Sequence, residues 1–86
     1  MNAPQYNTFT VKTRDVDGQN SRKYKTLDAA RKRFEAMLGY SVEAAMAEQY
    51  HNCDPVPAFT DPEVRFVRGV SNYGTVVTLF KEERYQ

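Results

Sequence analysis

His51-Asn52-Cys53-Asp54 is the one stretch of this 86-residue chain where an imidazole, a thiol and a carboxylate gather. Two chemistries could draw on them. A metal ion needs three or four ligands in a fixed geometry, and the whole sequence holds one histidine and one cysteine. A thiolate nucleophile needs its histidine in contact and an oxyanion hole besides, and side chains two apart near a helix end point in different directions. The reading is therefore no metal ligand and no catalytic residue. His51 is expected at a helix C-terminus, where the dipole favours a cation, and Cys53 as a small half-buried side chain. There is no glycine-rich phosphate loop and no nucleophile elbow, and no cofactor is implied. Glu82-Glu83 reads as tail charge. A non-enzymatic protein is expected.

Charge carries more information. The net charge is +1, but it is unevenly spread. Residues 1–33 hold eight Lys/Arg against three Asp, a balance of +5; residues 34–64 hold six acids and no base; residues 65–86 return to +2. Arg22, Lys23, Lys25, Arg31, Lys32 and Arg33 are candidates for one basic partner-binding surface. Glu43, Glu48 and Asp54 are candidates for an acidic one. Opposite patches of this kind steer and orient a charged partner. Six tyrosines stand beside five phenylalanines and no tryptophan. Tyrosine with arginine is the composition of interface anchors, and Tyr24, Tyr40 and Tyr73 are the anchor candidates. Phe9, Phe34, Phe66 and Phe80 are expected in the core.

The elements that must hold these residues follow from periodicity. Residues 6–14 alternate, with Phe9, Val11 and Thr13 facing one way and Thr8, Thr10, Lys12 and Arg14 the other, the pattern of a half-buried strand. Asp17-Gly18 is a hairpin signal, and residues 21–25 read as a returning polar strand whose lysines discourage strand addition. Thr26 reads as a helix N-cap with Asp28 in the first turn. Leu27, Ala30, Phe34, Met37 and Leu38 recur at helical spacing, and Gly39 sits where that helix stops. Ser41 caps a second helix over 42–51, with Val42, Ala45, Met46, Gln49 and Tyr50 as its stripe; one long helix kinked at Gly39 is the alternative. Pro55, Pro57 and Pro62 forbid a regular helix over 52–62, where Val56 and Phe59 are expected to pin the chain to the core. Residues 63–70 and 75–82 read as two strands around a turn at Ser71-Asn72-Tyr73-Gly74. The fold class expected is α+β: a four-stranded antiparallel sheet in the order β-β-α-α-β-β, with the helices packed on one face.

Eighty-six residues allow one domain, with 1–5 and 83–86 expected as flexible tails. One cysteine excludes an internal disulfide framework. No apolar run reaches the length of a membrane span, and Met1 to Tyr6 show no basic region followed by an apolar stretch. The expected setting is the cytoplasm, with no membrane partner.

The strand–strand–helix plan of residues 6–38, the helix opening Lys25-Thr26-Leu27-Asp28-Ala29-Ala30, the short stand-alone length and the lack of a catalytic motif together resemble small phage-encoded inhibitor proteins of the anti-CRISPR type, and phage inhibitors of host RNA polymerase. The paired helix and the proline-rich connection depart from simpler members of that group. The resemblance implies stoichiometric inhibition by binding in a bacterial host cytoplasm. The function expected is an interaction protein that binds and inhibits or adapts a larger protein or ribonucleoprotein complex. The alternative is a small nucleic-acid-binding module using the basic strand–helix surface with Tyr24. The near-neutral total favours the first reading, because dedicated nucleic-acid binders are usually clearly basic. A homodimer through a sheet face or strand edge is compatible with both.

Overall fold

The computed structural model describes residues 6–83, with side chains over 8–82. The elements run β1 (Tyr6–Asp15), β2 (Gly18–Tyr24), α1 (Leu27–Leu38), α2 (Val42–Gln49), β3 (Phe66–Val70) and β4 (Val76–Glu83). All four strands form one antiparallel sheet in the order β2-β1-β4-β3. Each hairpin is local in sequence; the β1–β4 ladder joins them. Both helices lie on one face, the α+β arrangement that the periodicity implies. The expected tails at 1–5 and 84–86, Tyr85, and the side chain of Tyr6 fall outside the described residues. Glu83 is not tail: its backbone closes β4 against Tyr6.

Local chemistry explains the boundaries. The Asp15 carboxylate accepts from the Asp17 N–H at 2.9 Å, and Gly18 takes φ 136°. The reversal is therefore tight, and β2 starts three residues before the Ser21 expected from sequence. Thr26 Oγ1 accepts from the Ala29 N–H at 3.2 Å, and Gly39 ends α1 in the left-handed region at φ 94°. Ser41 Oγ then accepts from the Ala44 N–H at 3.1 Å, opening a separate helix. The chain thus has two helices rather than one kinked helix, and α2 stops at Gln49, short of the expected His51. The third strand begins at Phe66 rather than Glu63. The reason is a turn at 61–64, where the Val64 N–H donates to the Asp61 carbonyl and the Glu63 N–H to the Asp61 carboxylate.

The core lies between the helices and one sheet face. Ala30, Phe34 and Leu38 of α1 and Val42, Ala45 and Met46 of α2 cover Phe9, Val11, Val67, Val77 and Leu79, with Phe59 and Val64 sealing one side. Phe34, Val67, Val77 and Leu79 are fully buried. Gly69 lets the layers approach: a Cβ there would stand 2.5 Å from the Tyr40 hydroxyl and 2.9 Å from both Leu38 methyls.

Three burial expectations fail. Phe66 and Phe80 are not in the core; they lie on the opposite sheet face, where Phe66 is 40% exposed. The apolar run Val76-Val77-Thr78-Leu79-Phe80 reads equally well in either phase, and the residue that completes the buried phase is Lys81, 6% exposed. Val56 is exposed, leaving Phe59 to anchor the connection. Cys53 is exposed rather than half-buried. Among the described residues, no helix is long and apolar enough to cross a membrane.

Candidate functional site

Strand alternation sends every second side chain away from the helices. The pairing registers set these into rows. Lys23, Thr10, Phe80 and Phe66 form one row across the sheet. Ser21, Lys12, Thr78 and Arg68 form the next, and Gln19, Arg14, Val76 and Val70 a third. Thr8 and Glu82 close the far end. The Cα framework is 17 Å across its thinnest axis, enough for one sheet and one helix layer, so no other described element covers this face.

Its chemistry is one-sided. Lys12, Arg14, Lys23 and Arg68 are exposed, and none forms an ion pair with a described residue. Glu82 is the one acid in these rows, and the Thr10 hydroxyl donates to it at 3.0 Å. Thr10 and Thr78, in the two central strands, are already buried, as expected beneath longer neighbours. Phe66 and Phe80 face each other across β3 and β4 with ring centroids 6.1 Å apart and a 38° tilt. Two rings on the β4–β3 half thus adjoin three cations on the β1–β2 half. The described residues contain no group of three His, Cys, Asp or Glu placed to hold a metal ion.

One border of the face is closed by a side chain. β3 is an edge strand, and the Gln49 amide of α2 pairs with it as another strand would. Gln49 Nε2 donates to the Phe66 carbonyl at 3.1 Å, and Gln49 Oε1 accepts from the Arg68 N–H at 2.9 Å. The Tyr40 hydroxyl makes longer contacts to the Val70 carbonyl and the Glu48 carboxylate. Partial burial, with Glu48 adding to it, raises the Tyr40 phenol above its ordinary value.

The residues singled out from sequence are scattered by the fold. Of the basic set, Lys23 alone joins the uncovered face. Arg22 turns to the helix side of the sheet and lies over the Tyr24 ring at 5.8 Å, and Tyr24 itself packs against the core. Lys25 follows β2 and is exposed; Arg33 is exposed on α1, and Lys32 pairs loosely with Asp28 at 3.5 Å. Arg31 and Glu43, expected on opposite patches, are partners: the guanidinium meets both Glu43 oxygens, at 2.6 and 2.8 Å. Arg31 also contacts Glu35 at 3.3 Å, and Glu35 accepts from the first N–H of α2, that of Val42, at 2.7 Å. The clean separation of charge read along the chain therefore fails at the helix elbow, where the chain folds back on itself. The Glu43 hydrogen bond, opposed by slight burial and helped by Glu35, raises the Arg31 pKa. Glu43 is held low first by its own backbone N–H and, against slight burial, by Arg31. Glu48 and Asp54 are exposed, and Tyr73 stands almost fully exposed at the β3–β4 turn.

His51, two residues past the end of α2, has its Nδ1 3.0 Å from the Glu48 carbonyl oxygen. A groove of 360 Å³ runs between α1, α2 and the proline-rich connection, lined by Leu27, Val42, Met46 and Phe59 with the Arg31–Glu43 pair at its side. It contains neither His51 nor Cys53.

Sequence reasoning missed Lys12, Arg14, Arg68, Phe66 and Phe80 as one surface. Part of the signal is present, since Lys12 and Arg14 alternate against Phe9 and Val11. The neighbours of β1 are not readable from β1 itself. No protein-family model, no curated protein and no solved structure matches the chain.

Proposed function

We propose that this protein is a non-enzymatic binding module that docks on a polyanionic surface of a larger macromolecular assembly through its uncovered sheet face. The observation that carries the reading is the set Lys12, Arg14, Lys23 and Arg68, without ion-pair partners among the described residues, on one flat surface with a single acid. Cations held on a rigid sheet lose little freedom on binding and release counterions from a polyanion. A module of this kind inhibits or adapts what it occupies without turning anything over, the role that the likeness to phage inhibitors implies. Docking by the acidic segment has less support, because Glu35 and Glu43 are already taken up by Arg31.

Heparin titration tests the reading. Binding should weaken steeply with salt and be lost in Lys12→Glu/Arg14→Glu, while Lys32→Glu/Arg33→Glu on the helix layer keeps it. Equal loss in both double variants, or no binding at low salt, refutes the assignment of the face.

A further inference from the structure

We infer that the occupant of the uncovered face is a single-stranded nucleic acid, its bases stacked on Phe66 and Phe80 and its phosphates held by Lys12, Arg14 and Lys23. The inference rests on the reading of this face as a polyanion site and names the polymer.

The rings carry the argument. A surface that served charge alone, for an acidic peptide or a sulfated sugar, would gain nothing from exposed phenylalanine in the cationic field. Here Phe66 is 40% exposed, and its ring adjoins that of Phe80. A polymer that brings one flat ring with each negative charge satisfies both halves at once. Base–aromatic stacking is tolerant of sequence because every base has a π face. A duplex stacks its bases on one another and hides those faces.

The layout also gives the strand a direction across the sheet. Same-face side chains two residues apart lie about 6.7 Å from each other along a strand, and neighbouring strands about 4.8 Å apart. The three cations of β1 and β2 thus make a compact rail beside the rings of β4 and β3. Glu82 stands on β4, next along from Phe80 on the same face, and repels phosphate from the ring side. The backbone is therefore drawn over β1 and β2, and the bases reach across to β4 and β3. Arg68, beyond Phe66 on the edge strand, meets the far edge of a base or a returning phosphate. Base stacking and phosphate contacts do not depend on the sugar, so RNA and DNA share this chemistry.

Fluorescence anisotropy with labelled oligo(U) and oligo(dT) of about 15 nucleotides, a duplex of equal length, and polyglutamate as competitor tests the inference. Binding of either single strand supports it, and the two arms show which sugar is preferred. Both single strands should bind more tightly than the duplex, and polyglutamate should compete poorly. Three phosphate contacts predict a slope of log K against log salt of about −2. Phe66→Ala should weaken binding about tenfold with that slope unchanged, while Lys12→Gln/Arg14→Gln should flatten it. Phe66→Trp, which keeps a ring on the surface, should retain binding and separates stacking from any loss of fold. The inference is overturned if duplex or polyglutamate binds as well as single strands, if Phe66→Ala has no effect, if Phe66→Trp loses as much as Phe66→Ala, or if no oligonucleotide binds at about 50 mM salt. In each case heparin binding that still depends on Lys12 and Arg14 would leave the polyanion face standing, whereas loss of heparin binding as well removes both.

Discussion

Lys81→Met should destabilise the protein by about 2 kcal/mol at neutral pH, and by more in alkali. Lys81 occupies a core-facing position of β4 at 6% exposure. Its ammonium donates to the Phe59 carbonyl at 2.5 Å and the Asp61 carbonyl at 2.8 Å, and stands 4.9 Å from the Phe59 ring centroid. Methionine fills nearly the same volume but leaves the Phe59 carbonyl without its donor, whereas the Asp61 carbonyl keeps the Val64 N–H. A stranded carbonyl costs about 1–3 kcal/mol, the lost charged hydrogen bond to Asp61 adds to it, and relief from burying a charge offsets part of the sum. The pH dependence distinguishes this account from a simple packing defect. Burial holds the Lys81 amine below its ordinary value of 10.5, with Asp61 opposing the shift and Arg65 adding to it. Below the lowered value, folded and unfolded chains both carry the proton, and the cost of burying the charge is present in full. Between the lowered value and 10.5 the unfolded chain binds the proton and the folded chain does not, so stability attributable to Lys81 rises with pH. The methionine variant has no such term, and the gap between the two proteins should widen across that window. Urea denaturation followed by far-ultraviolet circular dichroism at neutral and alkaline pH measures it. A variant as stable as the parent, or a gap that narrows in alkali, would refute the reasoning.

Three further outcomes are expected. Glu43, with its carboxyl held low, contributes stability that is present above its ordinary value of 4.5 and lost as pH falls through the lowered one. Glu43→Gln should therefore flatten the acid limb of a thermal-melt profile by less than about 1 kcal/mol, because the pair is exposed; an unchanged limb counts against the Arg31–Glu43 clasp. Gly69→Ala should cost about 1–3 kcal/mol through overpacking against Leu38 and Tyr40, and a urea midpoint within error of the parent's would show that the layers are looser than drawn. Gln49→Ala should cost about 1 kcal/mol and release the β3 edge, so that sedimentation velocity shows concentration-dependent assembly beyond any that the parent forms; a variant that associates no further than the parent would mean that Gln49 is not the stopper.

The helices are legible in the sequence because their signals are local. Thr26, Asp28, Gly39 and Ser41 specify caps within a turn of where they act, and α1 begins and ends where they place it. The class and the order of elements along the chain are legible for a similar reason, since each hairpin turn lies in sequence between the strands that it joins, whereas the meeting of β1 with β4 is not. The phase of β3 and β4 is not, because apolar residues occupy both faces of β4 and Lys81 sits where a hydrophobe would be expected. The candidate face inherits that ambiguity: reading Phe66 and Phe80 as core removes the rings from the surface. Arg31 and Glu43 belong to oppositely charged segments along the chain, yet the elbow at Gly39 brings them together, and no count of charge per segment can show that.

The Gln49 amide plugs one flank of the sheet, and among the described residues nothing comparable meets β2 on the other. A second copy can add its own β2 there about a dyad normal to the sheet, using up both open flanks together. Both ring-bearing surfaces would then look the same way, forming a platform twice as broad with a stopper at either end. Growth would stop at such a pair, so an alignment that could otherwise propagate into a fibre would be self-terminating.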